Sequence, residues 1–392
     1  MMRSLLWFGL AATLGLTVAA VAAERPEKEG GYRFSTDLSL GGPDASDDAS
    51  FYEKFGPVAL GADASGRMYV LDNGNARVQV FSPQGKFVAT HGAEGDGPGE
   101  FRIPSRLAVN AGGEYAVYDL GQGRVSVFAP DGKLRWDLLA PTSVADLALA
   151  DDGRLFVGYD EYGPAQVEVY GRDGKLAWSA GPGSKAPGRV IKLEIGVQTL
   201  APRLAMNGAN AFVRAPKGDY DLELWTKGQA QPVRWTRPLE RRAFTAEELA
   251  PPKNDDDGEG GPEVIMIRRS GPGGDDGGGG GGTEDVEAWA DHDAGEISLD
   301  PESLKQFMPT HHAATRGVLA WKDGRVWVLT SELARGGSVV DEWSKDGRWV
   351  RRFTLPEEVD WITLGADGRL YTVTHDEDDY PTVHRVVLSS EA

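Results

Sequence analysis

The chain has 392 residues, with 60 Asp and Glu against 41 Lys and Arg, a formal net charge of −19 and no cysteine. That balance argues against a nucleic-acid partner, which needs clustered Lys and Arg, and against adsorption to anionic lipid. Without cysteine, neither a disulfide nor a lipid-modified N-terminal cysteine is available.

The N-terminus reads MMRSLLWFGLAATLGLTVAAVAA. A lone Arg3, an apolar run from Leu5 to Val21 and small residues at Ala20–Ala23 make residues 1–23 a secretory signal peptide, cleaved near Ala22 or Ala23. The alternative is an uncleaved anchor, which the run is just long enough to form. The small-residue site and the polar ERPEKEGG of 24–31 favour cleavage. No later stretch is long and apolar enough to span a bilayer, so the mature protein is expected in the periplasm or outside the cell.

Tyr32–Leu38 (YRFSTDL) alternates as a strand does, and the acidic loop LGGPDASDDAS (40–50) follows it. Asp44, Asp47 and Asp48 lack the Gly and Glu positions of an EF-hand loop, so this reads as a solvated loop. From residue 62 a unit then recurs. Its first turn appears as ADASGRMYV (62–70), NAGGEYAV (110–117), ADDGRLFV (150–157), MNGANAFV (206–213), WKDGRVWV (321–328) and GADGRLYTV (365–373). Its second half appears as RVQVFSPQGKFVAT (77–90), RVSVFAPDGKLRWDL (124–138), QVEVYGRDGKLAWSA (166–180), LELWTKGQAQPVRW (222–235) and VVDEWSKDGRWVRRF (339–353). Asp-Gly between alternating apolar runs is a hairpin signal, because the turn needs a positive φ. Marked at Gly66, Gly112, Gly153, Gly208, Gly324 and Gly368, the units lie 46, 41, 55, 116 and 44 residues apart. Four-stranded propeller blades run at about 40–50 residues each. The predicted fold is therefore all-β, a six-bladed β-propeller over residues 32–392. The sixth copy, VHRVVLSS (383–390), stops where its outer strand should begin, so Tyr32–Leu38 is expected to supply it and close the ring.

DNGNARVQVFSPQGKFVATHG followed by GDGPGEFRIPSRLAV closely resembles an NHL repeat, the unit of six-bladed propellers. The match is sharp over 62–139 and weakens afterwards. PTHHAATRGVLAWKDGRVWV (309–328) is similar to the corresponding crossover of bacterial extracytoplasmic NHL-like propellers. The resemblance covers about 32–240 and 296–392. It implies fold rather than activity, since propellers host binding proteins and enzymes alike.

The wide gap between copies four and five holds an insertion over 241–295. TAEELAPP (245–252) reads as a short helix with a Thr245/Glu248 capping box, and DPESLKQF (300–307) as another with Asp300 as N-cap. Between them, residues 254–287 carry 12 Gly, 10 acidic and two basic residues, a low-complexity composition expected to be disordered. The segment from Val264 to Arg269 inside it could add a strand to a partner's sheet or fold as an inserted hairpin.

Propeller ligands commonly enter at the channel mouth, where the innermost strands begin. Aligning the copies puts Gly56/Pro57, Ser105/Arg106, Ala145/Asp146, Pro202/Arg203, Arg316/Gly317 and Asp360/Trp361 there, with Glu100, His311 and His312 just upstream. Arg106, Asp146, Arg203, Arg316, Asp360 and Trp361 would suit an anionic or carbohydrate-like ligand, Arg gripping a carboxylate and Trp stacking. Equally, these Arg and Asp could pair with one another and plug the channel. Which member of each pair faces inward depends on alternation, and a one-residue shift reverses it. A metal site would need three or four convergent ligands, and His91, His312 and His375 are the candidate set. The metal positions of gluconolactonase-like propellers are mostly Pro, Ser, Ala, Arg and Gly here, and no nucleophile elbow or phosphate loop is placed to act. HDEDDYP (375–381) reads as a solvated acidic hairpin loop. No catalytic constellation is complete and no cofactor is implied. The sequence favours a monomeric binding module for a protein partner or a small ligand. A metal-dependent propeller hydrolase or lyase and an envelope-assembly scaffold are the alternatives.

Overall fold

The computed structural model describes residues 32–43, 45–46, 50–52, 59–140, 144–159, 166–181, 202–206, 211–215, 220–239, 243, 314–334, 337–355, 359–376 and 378–390. Outside them lie the leader, Asp44, Asp47, Asp48, Gly56, Pro57, all of 254–287, both short-helix segments, His311 and His312.

The described residues form 24 strands in six four-stranded antiparallel sheets. After β1 (Tyr32–Gly41), blade one comprises β2 (Ala59–Ala62), β3 (Met68–Asp72), β4 (Arg77–Phe81) and β5 (Phe87–His91). Blade two is β6 (Pro104–Val109), β7 (Tyr115–Asp119), β8 (Arg124–Phe128) and β9 (Leu134–Leu139). Blade three is β10 (Val144–Leu149), β11 (Leu155–Tyr159), β12 (Val167–Tyr170) and β13 (Leu176–Ala180). Blade four is β14 (Leu204–Met206), β15 (Ala211–Arg214), β16 (Asp221–Thr226) and β17 (Val233–Thr236). Blade five is β18 (Thr315–Ala320), β19 (Val326–Ala334), β20 (Gly337–Trp343) and β21 (Trp349–Thr354). Blade six has β22 (Trp361–Leu364), β23 (Leu370–His375) and β24 (Pro381–Ser390), and β1 is its fourth strand. The closing strand is thus where the truncated sixth repeat requires it, and it runs past Leu38 to Gly41.

Burial explains the residue pattern. Second strands such as MYVLD, YAVYD and LFVGY are buried at every position, because each face of an inner strand packs against a neighbouring blade. Outermost strands such as β9 alternate between half-buried and exposed, since only one face has a partner. The repeated turn has its glycine in the left-handed region, with φ near 83° at both Gly66 and Gly153. In the second copy that residue is Gly113 rather than Gly112.

Innermost strands β2, β6, β10, β14, β18 and β22 neighbour one another in a closed circuit. Hydrogen bonds stitch every boundary. Ala64 N donates to Ala111 O across blades one and two, and Asn110 Nδ2 to Ala150 O across two and three. Leu204 N donates to Asp146 across three and four, and Val318 N to Pro202 O across four and five. Lys322 Nζ donates to Ala366 O and Ala366 N to Ala62 O, completing the ring.

Candidate functional site

At the mouth, three innermost strands carry a bulge at the same place. Register shifts between Pro104 and Arg106 in β6, between Val144 and Asp146 in β10, and between Thr315 and Gly317 in β18. In blade six, Asp360 N donates to Val373 O while Trp361 is the residue paired with Val373, so Asp360 takes the equivalent place. A bulge adds one residue to its strand and re-aims the side chains around it. The first member of each described pair (Ser105, Ala145, Pro202, Arg316, Asp360) is part-exposed. Of the second members, Asp146, Arg203, Gly317 and Trp361 are buried and Arg106 is half-buried.

The second members act between blades. Arg106 donates from Nε to Ala145 O at 2.8 Å and from Nη1 to Ser105 O at 2.8 Å. Asp146 accepts Leu147 N on Oδ1 at 2.8 Å, and Leu204 N at 3.0 Å together with Arg203 N on Oδ2. Burial pushes its carboxyl up to about 6, against the opposing pull of the Arg106 guanidinium and those backbone amides. Arg203 reaches Ala215 O and Thr315 O, each at 3.3 Å, and so ties blade four to blade five. Trp361 is packed into the core, its indole N–H without a hydrogen-bond partner among the described residues. Arg106, Asp146 and Arg203 each hydrogen-bond backbone of the same or the next blade, and the Arg106 guanidinium also acts on the buried Asp146 carboxylate.

Arg316 and Asp360 hold the bulge position on adjacent blades, and the Asp360 side chain is 40 % exposed. His375, at the end of β23, places Nδ1 2.8 Å from Asp360 Oδ2. Their separation along the chain hides this contact, yet both flank one hairpin whose turn is Asp367-Gly368. That symmetry is the signal that pairs them.

The remaining candidates lie elsewhere. His91 ends the outermost strand of blade one, stacks on Tyr115 and faces its hydroxyl at 3.0 Å across the blade boundary. Burial holds its imidazole below the usual value. Glu100 folds back to accept Gly97 N at 2.8 Å, bracing its own crossover. Among the described residues no three His, Asp or Glu side chains are grouped to hold a metal ion.

A family model, DUF5128, described as a 6-bladed beta-propeller, matches residues 58–170, from the start of blade one to the third strand of blade three. The chain is a six-bladed β-propeller. Among solved structures, a Bacteroides fragilis protein provisionally described as exported is 13 % identical to this propeller, with 91 % of this chain and 95 % of that one covered and a TM-score of 0.52. A catalytically inactive virginiamycin B lyase from Staphylococcus aureus with quinupristin is 9 % identical, covering 91 % of this chain and 100 % of its own at a TM-score of 0.47. A member of the duf4221 family from Bacteroides vulgatus is 8 % identical, covering 93 % and 100 % at 0.47. Likeness at such identities is one of fold. No curated protein matches the propeller in sequence. No helix among the described residues is long and apolar enough to cross a membrane.

Proposed function

We propose that this propeller is an extracytoplasmic binding module that takes a small anionic or carbohydrate-like ligand at the blade five and six side of its channel mouth. The observation that carries the reading is the bulge position. It leaves Arg316 and Asp360 part-exposed at the mouth on adjacent blades, with Asp360 facing His375 Nδ1. A guanidinium on one blade, with a carboxylate and an imidazole on the next, offers both donors and acceptors, as a uronic acid or a hydroxy-carboxylate needs. The secretory leader pattern supports an extracytoplasmic address, and so does the exported description of the Bacteroides fragilis neighbour.

A second reading, a hydrolase or lyase, draws on the Asp360–His375 contact. A carboxylate that orients an imidazole is a common arrangement for a general base.

One experiment separates them. Galacturonate and tartrate are titrated into the mature chain and its Arg316→Ala, Asp360→Ala and His375→Gln variants, with lactone turnover followed in parallel. The binding reading expects capture to weaken about tenfold or more in Arg316→Ala, with the melting temperature held. Capture that is indifferent to both Arg316 and Asp360 sinks it. Turnover lost only in His375→Gln would move the assignment to the enzyme.

A further inference from the structure

Blades five and six do not close fully on each other. A cavity of about 170 Å³ lies between them, lined by Phe34, Leu355, Ile362, Leu370, Thr372 and Val386 among others. The strand registers explain its wall. Ile362 faces Thr372, Leu370 faces Val386, and Val386 faces Thr36, so one face of blade six contributes from all four strands. Leu355, just past the last strand of blade five, supplies the opposite side.

Four of these residues are aliphatic and almost wholly buried, so the inner wall of the cavity is apolar. Thr372 is the exception. It is 4 % exposed, and its Oγ1 has no hydrogen-bond partner among the described residues. Thr374 on the same strand shows the contrast: its hydroxyl meets His384 Nε2 at 3.0 Å, and Ser39 Oγ meets His384 Nδ1 at 2.9 Å. A buried hydroxyl left unpaired is costly, and valine would fill the same shape without that cost. Ser35 and Thr36, exposed on β1, also line the cavity, so it reaches the surface beside the closing strand.

We propose that this gap is a second ligand site, for a small aromatic or short aliphatic molecule carrying one hydrogen-bonding group. An apolar cavity of about 150 Å³ holds benzene, so phenol is of the right size. The ring would lie against Leu355, Ile362, Leu370 and Val386, and its hydroxyl would pair with Thr372 Oγ1 once that side chain turns toward the gap. Because β1 forms part of the wall, an occupant also bridges the closing strand to blade five. The site is independent of the mouth.

Phenol titrated calorimetrically into the mature chain tests this. The expected result is saturable one-to-one binding, about tenfold weaker in Thr372→Val, where only the hydrogen bond is lost. Val386→Phe, whose added ring fills the gap, is expected to abolish it. Should Val386→Phe fail to fold, Thr372→Val keeps shape and volume and decides alone. Absence of saturable binding to the wild type overturns the proposal, and so does affinity unchanged by Thr372→Val.

Discussion

At Asp146, burial and hydrogen bonding pull the same carboxyl in opposite directions. Its oxygens accept amides from its own strand and from the start of blade four, so the side chain is a joint between blades. Removing it in Asp146→Ala leaves three backbone amides without their acceptor, which is expected to cost about 3 kcal/mol or more, read as a lowered denaturation midpoint. The pH dependence has a definite sign. A carboxyl held near 6 in the folded chain and near its ordinary value unfolded binds its proton more tightly when folded. Its contribution is therefore fully present below about pH 4 and is lost as pH rises through about 6. Relative to Asp146→Asn, the wild type should gain up to roughly 3 kcal/mol as pH falls from 7 to 4. A flat difference across that window would mean that the amides and Arg106 outweigh burial.

Among the elements, β1 has the most to do for its length. It covers the edge of β24 from Tyr32 opposite Ser390 to Gly41 opposite Thr382. Tyr32 also reaches blade five: its hydroxyl donates to Glu342 Oε2 at 2.6 Å, and the Arg351 guanidinium lies 4.3 Å from its ring centre. Arg385 of β24 bonds Asp37 of β1 at 2.7 Å and Pro83 O in blade one, so the strand is held on both sides of the seam. Tyr32→Phe keeps the ring contacts and loses two charge-assisted hydrogen bonds, to Glu342 and from Arg325 Nη1 at 2.6 Å, an expected cost of about 3 kcal/mol by chemical denaturation. Deleting 24–40 should do far more, because it bares the β24 edge and the apolar faces beneath Phe34; aggregation by light scattering is the expected outcome. A soluble, equally stable truncation would falsify the closure. This strand was legible in the sequence for a simple reason: the last repeat lacked its fourth strand, and one alternating segment was left over. The facing of the mouth residues was not legible at Ser105, Ala145 and Arg316. One added bulge residue per strand decides it, and neither composition nor spacing marks a bulge.

Taken whole, the ring depends on boundaries between blades rather than on chain continuity, and the boundary between blades four and five makes that plain. Thr236 and Thr315 end and begin consecutive described strands across the longest break in the repeat, yet the two blades are joined directly. Arg237 Nη1 lies 2.7 Å from Asp341 Oδ2, Trp343 Nε1 donates to Tyr220 at 2.8 Å, and Trp235 stacks on Trp343 at 6.1 Å between ring centres. Tyr220, Leu222, Trp235, Val318, Val326 and Trp343 form one buried cluster across the boundary. The repeat spacing revealed six such units, because every blade must reproduce the same turns and the same buried second strand. It could not reveal which polar side chains would be drawn into the seams, since that depends on partners from the next blade. Because the contacts just named join blades four and five through other residues, deletion of 254–287 is expected to leave the melting temperature within a few degrees of the full chain, measured by scanning calorimetry on both. Loops of differing length change closure entropy only slowly. A drop much larger than that would mean the deleted segment packs on the blades and contributes to their core.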